Sequence, residues 1–180
     1  MTRARLSRSR LGGLALVASA LISLGLAACS PALNWRSVAL GELALTLPCK
    51  PDRAQRTVAL GGQRMDMEML GCEADGALFA VSRVAVPSGG DADRLQAQWQ
   101  AASLLQMKAQ GSPVLAPLSS SAQALPLRGL TASGQGGDGT AVQARLAWVA
   151  AGTDLYHFAV YAARITPEMA EPFFDGVKAL

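Results

Sequence analysis

One change of period constrains this chain most. Up to about residue 87 and again after residue 113, apolar side chains recur at every second position. Between them, Leu95, Trp99, Ala102 and Leu105 recur at helical spacing through about Ala109. Period two buries one face of a strand and period 3.6 one face of a helix, so the chain is strands, one long helix, then strands again. Trp35 to Leu47 reads as a short hairpin around Gly41-Glu42, stopped by Pro48-Cys49-Lys50-Pro51, because prolines cannot serve a ladder. Strands follow over 55–60, 64–71 and 78–86, turned by Gly61-Gly62 and Ala74-Asp75-Gly76. Asp91 is placed to cap the helix, with Asp93 in its first turn. Further strands are expected over 113–118, 124–133, 141–150 and 154–163. Thr166 then caps a last helix with Pro167 at its first position, and Met169, Phe173 and Val177 line its apolar side. Pro172 should bend or shorten that helix. Grouped strands with few helices predict an α+β domain: an antiparallel sheet of two meanders packed by a central and a C-terminal helix.

The first 29 residues carry an address. Arg3, Arg5, Arg8 and Arg10 precede an uncharged apolar run from Leu11 to Leu26. As a helix that run is about 24 Å long, short of the roughly 20 residues that span a bilayer. A basic start, a short apolar middle and small residues before a cut define a secretory signal. Leu26-Ala27-Ala28-Cys29 resembles the lipobox of bacterial lipoproteins. That resemblance implies cleavage after residue 28 and acylation of Cys29. Lipoproteins of this kind carry three chains, and two membrane signals already anchor firmly. Ser30, rather than aspartate, after the cysteine implies sorting to the outer membrane. Residues 1–28 are thus expected as signal peptide, 29–34 as tether and 35–180 as one periplasm-facing domain. The five residues Ser30–Asn34 hold that domain within roughly 20 Å of the bilayer.

Removing the signal also rewrites the charge. The chain has 16 basic and 13 acidic side chains; without the four leader arginines, 12 basic face 13 acidic. The apparent basicity belongs to targeting and gives no support for nucleic acid binding. Arg53, Arg56 and Arg64 read as solvated, with anionic headgroups as the alternative partner. With Cys29 acylated, Cys49 and Cys72 remain as an even pair in an oxidising compartment. A bridge would close a loop of about 24 residues, worth roughly 3 kcal/mol. The alternative is two unpaired thiols.

A wider resemblance rests on several segments in order. They are Leu47–Pro51, Gly61-Gly62, the Met-x-Met-x-Met-x-x-Cys strand Met65–Cys72, Phe79–Ser82, Leu155–Phe158 and Phe173–Val177. Together they resemble uncharacterised proteobacterial envelope proteins with a PsbP-like α/β/α fold, over nearly the whole mature chain. PsbP is a non-catalytic accessory subunit, so the resemblance implies a non-enzymatic role.

Residue patterns that suggest chemistry each have a plainer reading. Gly134–Gly139 matches G-x-G-x-x-G, but the fingerprint needs a helix after it, and Val142–Val149 alternates as a strand. A hairpin loop explains the glycines. Met65, Met67 and Met69 share a strand face and offer thioethers to Cu(I); methionine is also an adaptable core filler. His157, the sole histidine, shares a face with Leu155, Ala159 and Tyr161, and Ser119–Ser121 offer hydroxyls. No nucleophile elbow accompanies them, so a structural hydrogen bond is the expected role for the ring. No cofactor and no resident metal are expected. The sequence reads first as a monomeric, non-catalytic lipoprotein, an accessory or binding module with an envelope protein partner. A small-ligand or copper carrier is the alternative, and a hydrolase built on His157 comes last.

Overall fold

The computed structural model describes residues 32–117, 125 and 127–180. The leader, Cys29, Ser119–Ser121 and the expected strand start at 124 lie outside the described residues. Ala32–Leu180 form one compact unit.

Among the described residues each alternating segment contains a strand, although Leu125 and Leu127, expected in one, lie outside it. β1 (Arg36–Leu40) and β2 (Leu43–Leu47) form the first hairpin. β3 (Asp52–Leu60), β4 (Gln63–Ala74) and β5 (Ala77–Ala85) make the first meander. β6 (Gln110–Pro117), β7 (Arg128–Gln135), β8 (Ala141–Ala151) and β9 (Asp154–Ala162) make the second. The two meanders join through β5 and β9 into one antiparallel seven-stranded sheet, ordered β3-β4-β5-β9-β8-β7-β6. β9 is the middle strand, and its run Leu155–Val160 is buried throughout, as a strand covered on both faces requires. The first hairpin stays out of this sheet. It pairs with β10 (Lys178–Ala179), which the sequence reading does not foresee, in a three-stranded sheet β1-β2-β10.

Two layers cover the large sheet. On one face, β2 and α2 (Pro167–Asp175) bury Leu43, Leu45 and Leu47 with Phe79, Phe158, Phe173 and Phe174. Phe173 lies edge-on to Phe79 at 5.5 Å and to Phe174 at 5.0 Å, the arrangement aromatic quadrupoles favour. Trp35 is half-buried against Phe79 at 6.1 Å. On the other face, α1 (Ala92–Gln106) lies over Leu60, Met65, Met67, Val84, Leu146 and Leu155.

Helix details differ from the expected stripes. α1 buries Leu95, Trp99 and Ser103, with Met107 at its C-cap, whereas Ala102 is exposed and Leu105 is 81% exposed. The contact line follows steps of four, which keep one edge of the helix against the sheet. Asp91 does cap the start, accepting from the Asp93 and Arg94 backbone N–H groups. The helix stops before Ala109 because Lys108 turns left-handed (φ 47°); its N–H and that of Ala109 return to the Leu105 and Leu104 carbonyls. Thr166 holds the N-cap position of α2, but its side chain makes no capping hydrogen bond. The hydroxyl bonds to Glu168 instead. Pro172 sits inside the nine-residue helix, which ends three residues later.

The disulfide is present. Cys49 and Cys72, with Cα atoms 6.0 Å apart, tie the link between β2 and β3 to β4. It joins the chain leaving the small sheet to the large one.

Candidate functional site

Cross-strand register gathers the chemically versatile residues on the α1 face. Met69 pairs with Ser82, Ser82 with His157, and His157 with Trp148, a row running over β4, β5, β9 and β8. The His157 ring stacks on Trp148 with centroids 4.7 Å apart, and Trp99 of α1 closes over it at 5.2 Å. Burial holds the imidazole neutral, pushing its pKa down to about 3. Its Nε2 is buried without a hydrogen-bond partner, and so is the Trp148 Nε1. The expected structural hydrogen bond is therefore not formed at Nε2, and ring stacking holds the side chain in place. Ser82 is the register neighbour of His157, but it does not reach the ring at Nε2.

The methionine strand is also core. Met65 and Met67 are buried beneath α1, and Met69 packs against the same cluster. Thioether packing beside Leu60, Val84 and Leu95 explains their shared face. Among the described residues, no three His, Cys, Asp or Glu side chains gather as a metal site.

The glycine-rich segment is the β7–β8 hairpin. The Gly136 N–H donates to the Thr140 carbonyl, and Asp138 Oδ1 accepts from the Thr140 backbone at 3.0 Å and hydroxyl at 2.7 Å. Those bonds hold the Asp138 carboxyl below its ordinary pKa. At Gly134 a side chain would collide with the Met107 carbonyl, which accepts from the Gln135 N–H at 2.7 Å. The first glycine thus lets the end of α1 approach the sheet.

The opposite face carries a charged cluster that the sequence reading does not single out. Arg83 donates to Asp154 Oδ2 at 2.8 Å and to Glu68 Oε2 at 2.9 Å. Arg53 adds 3.1 Å to the Ala39 carbonyl and 3.5 Å to Glu68, so it is not merely solvated. Burial lowers the Arg83 pKa, but the Asp154 and Glu68 carboxylates outweigh it and the net shift is upward. Tyr156 Oη accepts the Glu42 backbone N–H at 3.0 Å and lies 3.4 Å from Asp154 Oδ2. This cluster clamps the turn of the first hairpin onto the large sheet. Gly41 (φ +56°) sits where any side chain would strike Tyr156 and Arg83.

A cleft of about 480 Å³ opens between α1 and the β6–β8 half of the sheet. Leu115, Leu127, Leu130 and Trp148 make its apolar wall, while Asp93, Gln96, Ala97 and Gln100 of α1 line the other side. Leu115 is 83% exposed, unusual for a large apolar side chain. The volume lies within the range of small-molecule sites, and a mainly apolar wall with a few amides is their usual composition. These residues come from four separate segments, so no local motif announces them. Asp93 and Gln96 to Gln100 look in sequence like an ordinary solvated helix face.

No known protein-family model matches this chain, and no curated protein is significantly similar to it in sequence.

Proposed function

We propose that the mature protein is a non-catalytic, monomeric lipoprotein of the PsbP-like type, held by acylated Cys29 in the outer membrane. Its domain faces the periplasm and serves as an accessory or binding module for an envelope protein. Supporting this reading is where the chemistry lies. The sole histidine is sealed between two tryptophans with no hydrogen-bond partner at Nε2, while the α1 face leaves an apolar cleft open. A buried neutral imidazole is closed to a substrate, whereas the cleft is open to a partner. The Cys49–Cys72 bridge fits an oxidising compartment such as the periplasm. The same cleft favours the small-ligand carrier as a second reading; copper is not part of it, because Met65 and Met67 are core.

The test has two arms. Wild type should incorporate labelled palmitate and partition with outer membranes, and Cys29→Ser should do neither. Photo-crosslinkers placed at Leu115 and Gln96 should capture a discrete envelope protein in whole cells. An unmodified, soluble wild type would end the lipoprotein reading.

A further inference from the structure

Resting on the lipoprotein reading, we propose that attachment through Cys29 stands the domain on one end, with Leu78 and Leu105 in the headgroup zone of the bilayer and the opposite end held away from it. The tether selects the end. Leu33 packs against the core and the Asn34 N–H donates to the Pro48 carbonyl at 2.7 Å, which leaves Ser30, Pro31 and Ala32 between Cys29 and the fold. Even fully extended, Cys29 to Leu33 reaches only about 14 Å. The Cys49–Cys72 bridge sets Pro48 beside the β4–β5 turn, where Ala74 pairs with Ala77 and Ala77 with Ala162. Gln143 also pairs with Ala162, and the Gln135 N–H donates to the Met107 carbonyl, so the β7–β8 turn and the end of α1 share this end. The Gly152 turn meets Glu42 of the first hairpin at the other end, beyond the pair Ala85–Asp154. The two ends are about 27 Å apart along the nine residues of β9.

Side chains at the tethered end suit a bilayer surface. Leu78 is 40% exposed and Leu105 81% exposed, and apolar side chains gain by entering the interface. Lys50, Lys108 and Arg164 are exposed there beside Asp52, Glu73, Asp75 and Asp138, so lipid charge is not what holds this end in place. Arg64, next to the Gly61-Gly62 turn, is carried to the far end, away from the headgroups.

The experiment uses the mature chain from Cys29, whose thiol lies outside the Cys49–Cys72 bridge, coupled to a maleimide lipid in phosphatidylcholine vesicles. A headgroup nitroxide serves as contact quencher. Leu105→dansylalanine should be quenched and shift to the blue on coupling, whereas Leu180→dansylalanine, 76% exposed at the far end, should do neither. Lengthening the tether by about twenty Gly/Ser residues after Ser30 dilutes the headgroups roughly as the −3/2 power of its length, and should cut quenching at position 105 by about 2-fold or more. With Lys50→dansylalanine as reporter, adding Leu105→Ser should weaken quenching at an unchanged melting temperature. Equal quenching at positions 105 and 180, full quenching with the long tether, or a Lys50 reporter indifferent to Leu105→Ser would each overturn the proposal. Coupling replaces native acylation, which palmitate labelling reads separately, so failure of this orientation and failure of the lipoprotein reading are distinguishable.

Discussion

His157 shows how one side chain sets a pH limit. Its folded-state pKa of about 3 lies below the ordinary 6.5, so the unfolded chain binds a proton that the native protein refuses. The sign follows from linkage: stability is full above pH 6.5 and declines as pH falls, by about 1.4 kcal/mol per unit, until about pH 3. Urea titrations between pH 7 and 5 should show this decline, and because His157 is the sole histidine, His157→Phe should flatten it. Arg83 makes the opposite argument for a charge. Arg83→Met strands Asp154, whose side chain is 12% exposed, and should cost about 2 kcal/mol, less than a fully buried pair because Arg83 itself keeps 32% exposure. Adding Asp154→Asn should recover part of that loss, which a double-mutant cycle in urea measures. Neither role is visible in composition, since both depend on which residues register opposite one another across β4, β5, β9 and β8.

At the scale of elements, termini and crosslinks carry the predictions. Lys108 closes α1 in a left-handed conformation that glycine adopts without penalty. Lys108→Gly should therefore stabilise the protein by about 1 kcal/mol, read as a rise in melting temperature. Opening the Cys49–Cys72 bridge as a double serine variant should cost about 3 kcal/mol and loosen the link between β2 and β3 before the large sheet. Hydrogen exchange of β2 against β9 resolves that order. The existence of both helices and most strands was legible in periodicity. The side of α1 that is buried was not: Leu105 fits helical spacing as well as Ser103 does, and only the sheet beneath selects between them. β10 escaped because two residues have no period.

For the whole molecule, the sheet edges differ in a way that matters for assembly. β3 closes one edge with Arg53 and Arg56, the exposed charges that discourage pairing with another chain. β6 closes the other without a charged residue but with Pro113 and Pro117, which lack the N–H a new strand needs. Pro113→Thr should raise self-association at high concentration, seen by sedimentation, while Arg53→Thr at the other edge costs contacts to Ala39 and Glu68. With both edges guarded, strand addition by another chain is disfavoured.

The sequence by itself determined what local chemistry can determine. Turn glycines, alternation and caps fixed where strands and helices form, and setting Cys29 aside as the expected acyl acceptor left the two cysteines that the bridge joins. Tertiary structure alone decided that the first hairpin leaves the main sheet, that the two meanders fuse through β5 and β9, and that a cleft opens beside Trp148. The reason is physical: period and turn type are properties of neighbours in the chain. Register, layer and cavity arise between segments that meet only after the chain has closed long loops, as Glu42 and Tyr156 do across a separation of 114.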